Sequence, residues 1–303
     1  MHHSIFTPEL AAVLGDAFGD DFAPTTISAC SGGSIHHTWQ LSDGKRQVFV
    51  KRNAPQALPQ FEAEAAGLNA IARAQAFRTP QVYGAGQDSA GAFLAMEFLA
   101  LTPIGKGHDA ALFAEALARM HRMQGSRFGW EDDNFIGNTP QSNKPHESWP
   151  LFFANERLQP QIDLARQHGA SSNLVRTCQS LAEQVPCFFV DYTPQPSLIH
   201  GDLWSGNAAM VEENGERLPV IFDPAIYYGD READLAMTEL FGGFPLDFYA
   251  QYRAIYPLDS GYEQRKTLYN LYHMLNHLNL FGLGYLSQCE RMASQLLSWT
   301  RNQ

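Results

Sequence analysis

The sequence predicts an α+β chain in two lobes: a five-stranded antiparallel lobe with one helix over residues 1–101, and a mainly helical lobe over 102–303. Three observations predict it. Short alternating or β-branched segments crowd the first hundred residues around a single helical stretch. Beyond Leu101 the apolar spacing becomes helical and stays so over most of the remaining chain. Between 197 and 223 the helices give way to brief strands and tight turns, and there carboxylates gather.

The strand candidates are TTISACS (25–31), SIHHTWQL (34–41), QVFVKRN (47–53), QVYGAGQ (81–87) and GAFLAMEFL (91–99). Between the third and fourth, residues 58–77 carry Phe61, Ala65, Leu68 and Ala72 at helical spacing. The segment 108–123 reads as a helix opened by an Asp109 cap, with Phe113, Leu117 and Met120 as its stripe. A Gly/Asn/Pro-rich stretch, 134–149, has no periodicity, and long loops of that kind are commonly functional. From Thr267 to Cys289 the chain carries no formal charge for 23 residues, which is long enough for a membrane span. Six side chains, among them Asn270, His273, Asn276 and His277, are too polar for a bilayer core, so the stretch predicts a core helix.

Composition bounds the function. With 303 residues, 45% of them hydrophobic, the chain can bury a full-size core, and it shows no repeat or low-complexity tract. Its net charge of -11 opposes nucleic acid and anionic membrane surfaces as partners. Four scattered cysteines without a C-x-x-C pair suit a reducing cytoplasm, and the first residues lack the basic and apolar pattern of a secretory signal. Only five residues are lysines, so Lys51, at the end of an apolar strand, calls for a partner or a ligand. At 100° per residue from Phe61, Glu64 falls at the edge of the helix's apolar stripe while Glu62 points away, which makes Glu64 the expected partner.

Ser31-Gly32-Gly33-Ser34 lies between two strands, where glycines let a backbone approach a phosphate; by itself it reads rather as a hairpin turn. A Walker A loop around Lys106 fails, because Ala100 and Gly107 occupy two required positions. A Rossmann fingerprint from Gly84 fails at Ser89. The strongest segment is His200-Gly201-Asp202-Leu203-Trp204-Ser205-Gly206-Asn207, followed by Asp223-Pro224. Phosphoryl transfer from ATP needs a base for the acceptor hydroxyl, a nearby Mg²⁺ ligand and a second carboxylate on Mg²⁺. Asp202, Asn207 and Asp223 supply that set, and Asn207 follows Asp202 at the spacing of the kinase catalytic loop, with Gly201 in place of its Arg. The glycine loop, Lys51 with Glu64, the catalytic loop and Asp223, in that order, identify a bilobal protein-kinase-like fold acting on small molecules.

With these motifs the chain resembles the fructosamine 3-kinase and ketosamine kinase family, near relatives of aminoglycoside phosphotransferases and choline kinases. The resemblance rests on GGSI (32–35), FVK (49–51), FEAE (61–64), NFIGNTPQ (134–141), Trp149 with Phe152-Phe153, HGDLWSGN (200–207) and FDPAIYYGDREADLAM (222–237). It implies Mg²⁺-ATP-dependent phosphorylation of the sugar 3-hydroxyl of a ketosamine, followed by loss of the sugar and release of the amine. It also implies Asp202 as base, Asn207 and Asp223 on Mg²⁺, Lys51 held by Glu64 on the ATP phosphates under Gly32, Gly33 and Ser34, and Glu97, Phe98 and Leu99 against adenine. Trp204 would line the sugar pocket. Asp230 would either bind the substrate amine or brace the loop, and Asp234 would brace it. Ser34 stands where some relatives have Cys, leaving Cys30 as the nearest thiol. A phosphotransferase for another alcohol (an aminoglycoside or a choline-like compound) and a nucleotide-binding pseudokinase are the rival readings. The preferred ketosamine (ribulosamine, erythrulosamine or fructosamine) and the oligomeric state are not encoded in any motif.

Overall fold

The computed structural model describes residues 5–30 and 35–301. The chain forms two compact units, Met1–Thr102 with Met210–Asp223, and Pro103–Ala209 with Pro224–Gln303.

In the first unit, α1 (Pro8–Phe18) precedes a five-stranded sheet of β1 (Thr26–Ala29), β2 (His37–Ser42), β3 (Gln47–Asn53), β4 (Val82–Asp88) and β5 (Gly91–Glu97). The order is β1-β2-β3-β5-β4, and every pair is antiparallel. α2 (Leu58–Ala74) lies between β3 and β4 in sequence and packs on β4 and β5. α1 is an addition to the one helix expected there. Its signals are local: Thr7 accepts from the Leu10 amide, Pro8 opens the helix, and Gly19 closes it at φ 72°. The two helices explain why β5 is apolar throughout rather than alternating. Phe93 and Ala95 join Leu10, Leu14, Val48 and Val50 on one side, while Ala92, Leu94 and Met96 join Phe61 and Leu68 on the other.

The chain returns to this unit through β9 (Ala208–Glu213) and β10 (Glu216–Ile221). Thr102 and Met210 exchange backbone hydrogen bonds, and Arg78 Nε donates to Glu213 at 3.0 Å.

The second unit opens with α3 (His108–His121), then β6 (Asn134–Ile136) and β7 (Thr139–Gln141), α4 (Trp149–Phe152), a π-helical turn over Phe153–Leu158, α5 (Gln159–Gln167) and α6 (Ser172–Gln184). β8 (Ser197–Ile199) pairs with β11 (Tyr227–Gly229), and α7 (Glu232–Leu240), α8 (Leu246–Ile255), α9 (Tyr262–Phe281) and α10 (Leu286–Thr300) complete it. Its core gathers Trp149, Phe152, Phe153, Tyr227, Tyr269, Leu271 and Leu275.

Three sequence expectations change here. Asp109 is not the cap of α3: Gly107 takes that place at φ 64°, and Asp109, the second residue of the helix, accepts from the Gly105 amide. The uncharged stretch is two helices, because Gly282 at φ 88° breaks it after Phe281. The aperiodic stretch 134–149 begins as the β6-β7 hairpin, turning at Gly137 with φ 59°. Polar groups of α9 pin that hairpin: Thr139 donates to Asn276 at 2.7 Å, and Tyr272 donates to Gln141. Among the described residues no helix is long and apolar enough to cross a membrane.

Candidate active site

The first unit holds an ion triad built by strand and helix periodicity. On β3, Val48 and Val50 face the α1 side, so Lys51 and Phe49 face the α2 side. On α2, Glu64 sits one turn from both Phe61 and Leu68 and therefore points the same way. Lys51 Nζ donates to Glu64 Oε1 at 2.7 Å and also to Asp223, two residues beyond β10. The Lys51 and Glu64 side chains are nearly buried, whereas that of Asp223 is 45% exposed. Asp223 has a left-handed backbone, φ 55°, uncommon for a residue other than glycine and a mark of functional turns. Burial works against the charge on Lys51, yet the two carboxylates hold its pKa above the ordinary value. Asp223 is held below its ordinary value because Lys51 outweighs its desolvation, and Glu64 is raised by burial and by Asp223. His36 packs against Phe61 at a tilt of 53° and takes part in a 2.8 Å hydrogen bond with Asn53 Nδ2. Burial, then Lys51, pushes it down to about 4, so it is neutral near pH 7.

Of the other residues assigned to nucleotide binding, Gly32, Gly33 and Ser34 lie outside the described residues. Glu97 ends β5 with its carboxylate on Arg78 and on the Gln81 amide, and its own N–H donates to Gln81 O at 2.8 Å. The Phe98 amide donates to Gln47 O, and Leu99 O accepts from Leu101.

In the second unit β8 leads directly into the catalytic loop. Gly201, where protein kinases have Arg, adopts φ 82°, and a Cβ there would lie 2.2 Å from Ala225 O. The loop is braced as expected by Asp234 in the first turn of α7, which accepts from the His200 amide at 2.7 Å and the Gly201 amide at 2.9 Å. His121 Nε2 meets the same carboxylate at 3.2 Å, and His121 Nδ1 lies 2.8 Å from the Tyr252 hydroxyl. Burial alone would raise the Asp234 pKa; His121 and the loop amide hold it below the usual carboxylate range.

Asn207 Nδ2 donates to Asp202 O at 2.9 Å and to Asp202 Oδ2 at 3.2 Å, so its amide carbonyl is directed away from the aspartate. The other carboxylate oxygen, Oδ1, lies 3.9 Å from His273 Nδ1. The sequence placed His273 only among the polar residues of a core helix, with no signal of a place beside Asp202. Buried, it is pushed down to about 3 and is neutral. Trp204 is 37% exposed, its ring lying over Gly206 and meeting Phe241 edge-on at 6.1 Å.

Asp230 departs from its assignment to substrate. It is 1% exposed, and its oxygens accept from Tyr192 at 2.9 Å, Tyr269 at 2.5 Å and the Glu232 amide at 3.0 Å. No face of that carboxylate is presented to a substrate amine; it ties β11 and α7 to α9.

A five-stranded antiparallel sheet carrying a Lys–Glu pair, followed by a mainly helical unit carrying an Asp…Asn catalytic loop, defines a protein-kinase-like phosphotransferase. Within that class the chain belongs to the fructosamine kinase family, whose sequence model matches residues 6–299. A Synechocystis sp. protein named "Probable ketoamine kinase" is 44% identical over 291 residues, covering 95% of this chain and 96% of its own. A crystal structure from Haemophilus somnus, provisionally named fructosamine-3-kinase, superposes with TM-score 0.85 at 30% identity, covering 95% and 96% of the two chains. A ternary complex of aminoglycoside phosphotransferase APH(4)-Ia with AMP-PNP and hygromycin B shares the fold at TM-score 0.63 and 14% identity, over 96% and 98% of the chains.

Proposed function

We propose that the protein transfers the γ-phosphoryl group of ATP to the sugar 3-hydroxyl of a ketosamine, and that the phosphorylated adduct then sheds its sugar and frees the amine. The arrangement of Asp202, with Asn207 on one carboxylate oxygen and neutral His273 beside the other, carries this reading. Asp202 takes the proton of the acceptor hydroxyl as its oxygen attacks phosphorus. His273 Nδ1 sits 3.9 Å from Asp202 Oδ1, beyond direct hydrogen-bond distance. Lys51, held by Glu64, takes the ATP phosphates, with Gly32, Gly33 and Ser34 over them and Glu97, Phe98 and Leu99 beside adenine. AMP-PNP in the aminoglycoside phosphotransferase complex supports ATP as the donor.

The residues fit Mg²⁺. Asp223 offers a half-exposed, ionised carboxylate and Asn207 an amide carbonyl, both hard oxygen donors of the kind that ion prefers. Among the described residues no three His, Cys, Asp or Glu form a metal cage, and Mg²⁺ shared with phosphates needs none. When bound, Mg²⁺ neutralises the charge on the phosphate oxygens. A ketosamine on a free amine or on a protein lysine is the substrate class, in a reducing cytoplasm that suits four cysteines without disulfides.

The test is ATP consumption with ribulosyl-lysine, fructosyl-lysine, choline and an aminoglycoside, using Asp202→Asn as the blank. Turnover confined to the two ketosamines is expected. Turnover of choline or the aminoglycoside alone would replace the substrate class, and bound ATP with silence on all four would overturn the ketosamine reading in favour of a pseudokinase or a kinase for another alcohol.

A further inference from the structure

From the geometry of α9 we infer a subsite for the hydrocarbon stem of the amine, running outward from the catalytic loop along Trp204, Phe241, His277, Phe281 and Tyr285. It rests on the ketosamine reading above. His273, His277 and Phe281 succeed one another at four-residue intervals on one face of α9, and His277 Nδ1 bonds to His273 O at 2.8 Å. The row starts 3.9 Å from Asp202 and ends at a phenylalanine that is 52% exposed. Its rings touch in succession: Phe241 to His277 at 4.7 Å, His277 to Phe281 at 5.4 Å and His277 to Tyr285 at 5.3 Å. The Trp204 edge contact with Phe241 joins the strip to the catalytic loop.

Length and charge choose the occupant. Eight residues of helix from His273 to Phe281 span about 12 Å. With the 3-hydroxyl at Asp202, three bonds from sugar C3 to the amine nitrogen cover only about 4 Å. The substituent on that nitrogen therefore lies along the outer rings. No charged residue occurs from Thr267 to Cys289, the stretch that carries His277, Phe281 and Tyr285, and burial keeps His277 below its ordinary pKa, so these outer rings offer no cation of their own to a carboxylate close to the nitrogen. Aromatic faces accept methylenes, and they favour the cationic secondary amine at the head of the chain. The occupant is an alkyl stem of four or more carbons, as in a lysine side chain, rather than an α-amino acid adduct.

Ribulosylamines of methylamine, hexylamine and glycine separate the cases. The wild-type kcat/KM should be at least tenfold higher for the hexyl than for the methyl adduct, with glycine below both. In Phe281→Ala the hexyl-to-methyl ratio should fall about fivefold; in Leu246→Ser, an exposed site elsewhere on this unit, it should stay. A wild-type ratio near one, or a ratio unmoved by Phe281→Ala, overturns the subsite while leaving the kinase reading intact. Absence of turnover on all three adducts sinks both readings.

Discussion

At Gly201 a single missing side chain decides whether the catalytic loop can close. With φ at 82° and Ala225 O in the way, Gly201→Ala must move backbone, and loss of kinase activity together with about 2–4 kcal/mol of stability is expected in urea unfolding. Asp202→Asn should instead fold normally, bind ATP, and lose about 10²- to 10⁴-fold in kcat. Wild-type turnover in that variant would remove Asp202 as base. Asp234→Ala strands two loop amides and His121, at a cost of about 2–5 kcal/mol. The candidate residues Asp202, Asn207 and Asp223 could be named from the sequence because they lie in two short recognisable segments, 200–207 and 222–224. His273 could not, because the fold brings it to Asp202 from 71 positions away, and its helical spacing looks like that of any core residue.

Among the elements, the β6-β7 hairpin shows how polar residues replace periodicity. It is too short to bury a stripe, so Gln141, Thr139 and Asn134 fix it through side-chain hydrogen bonds to Tyr272, Asn276 and Ile226 O. Asn276→Ala should cost about 1–3 kcal/mol and lower the melting temperature, since it strands buried groups of Thr139 and Gln161. An unchanged melting temperature would mean the hairpin stands without α9. The five strands and α2 were readable from pattern alone, although β1 buries none of its side chains. Helix α1 had its signals in Thr7, Pro8 and Gly19, but only Leu10 and Leu14 of its eleven residues are buried, too short a stripe to stand out. The break at Gly282 was hidden because the residues on both sides of it, from Thr267 to Cys289, are uncharged, and composition does not register a turn.

Over the whole molecule, buried neutral histidines set the response to acid. His121 and His273 are almost fully buried with pKa values below their unfolded value near 6.5. Below that value the unfolded chain binds protons that the folded chain refuses, so their stabilisation is complete above pH 6.5 and is lost as pH falls toward their folded values. The melting temperature should drop between pH 7.5 and 5.5, and His273→Asn should flatten the slope by up to about 1.4 kcal/mol per pH unit. Equal slopes in both proteins would refute the assignment. The return of Met210–Asp223 to the first unit has a consequence for synthesis. A ribosome that has made residues 1–102 must add about 120 more before Glu213 can meet Arg78 and Asp223 can meet Lys51. At ordinary elongation rates that is a delay on the order of ten seconds, during which the nascent sheet waits for its last hairpin and is open to chaperones.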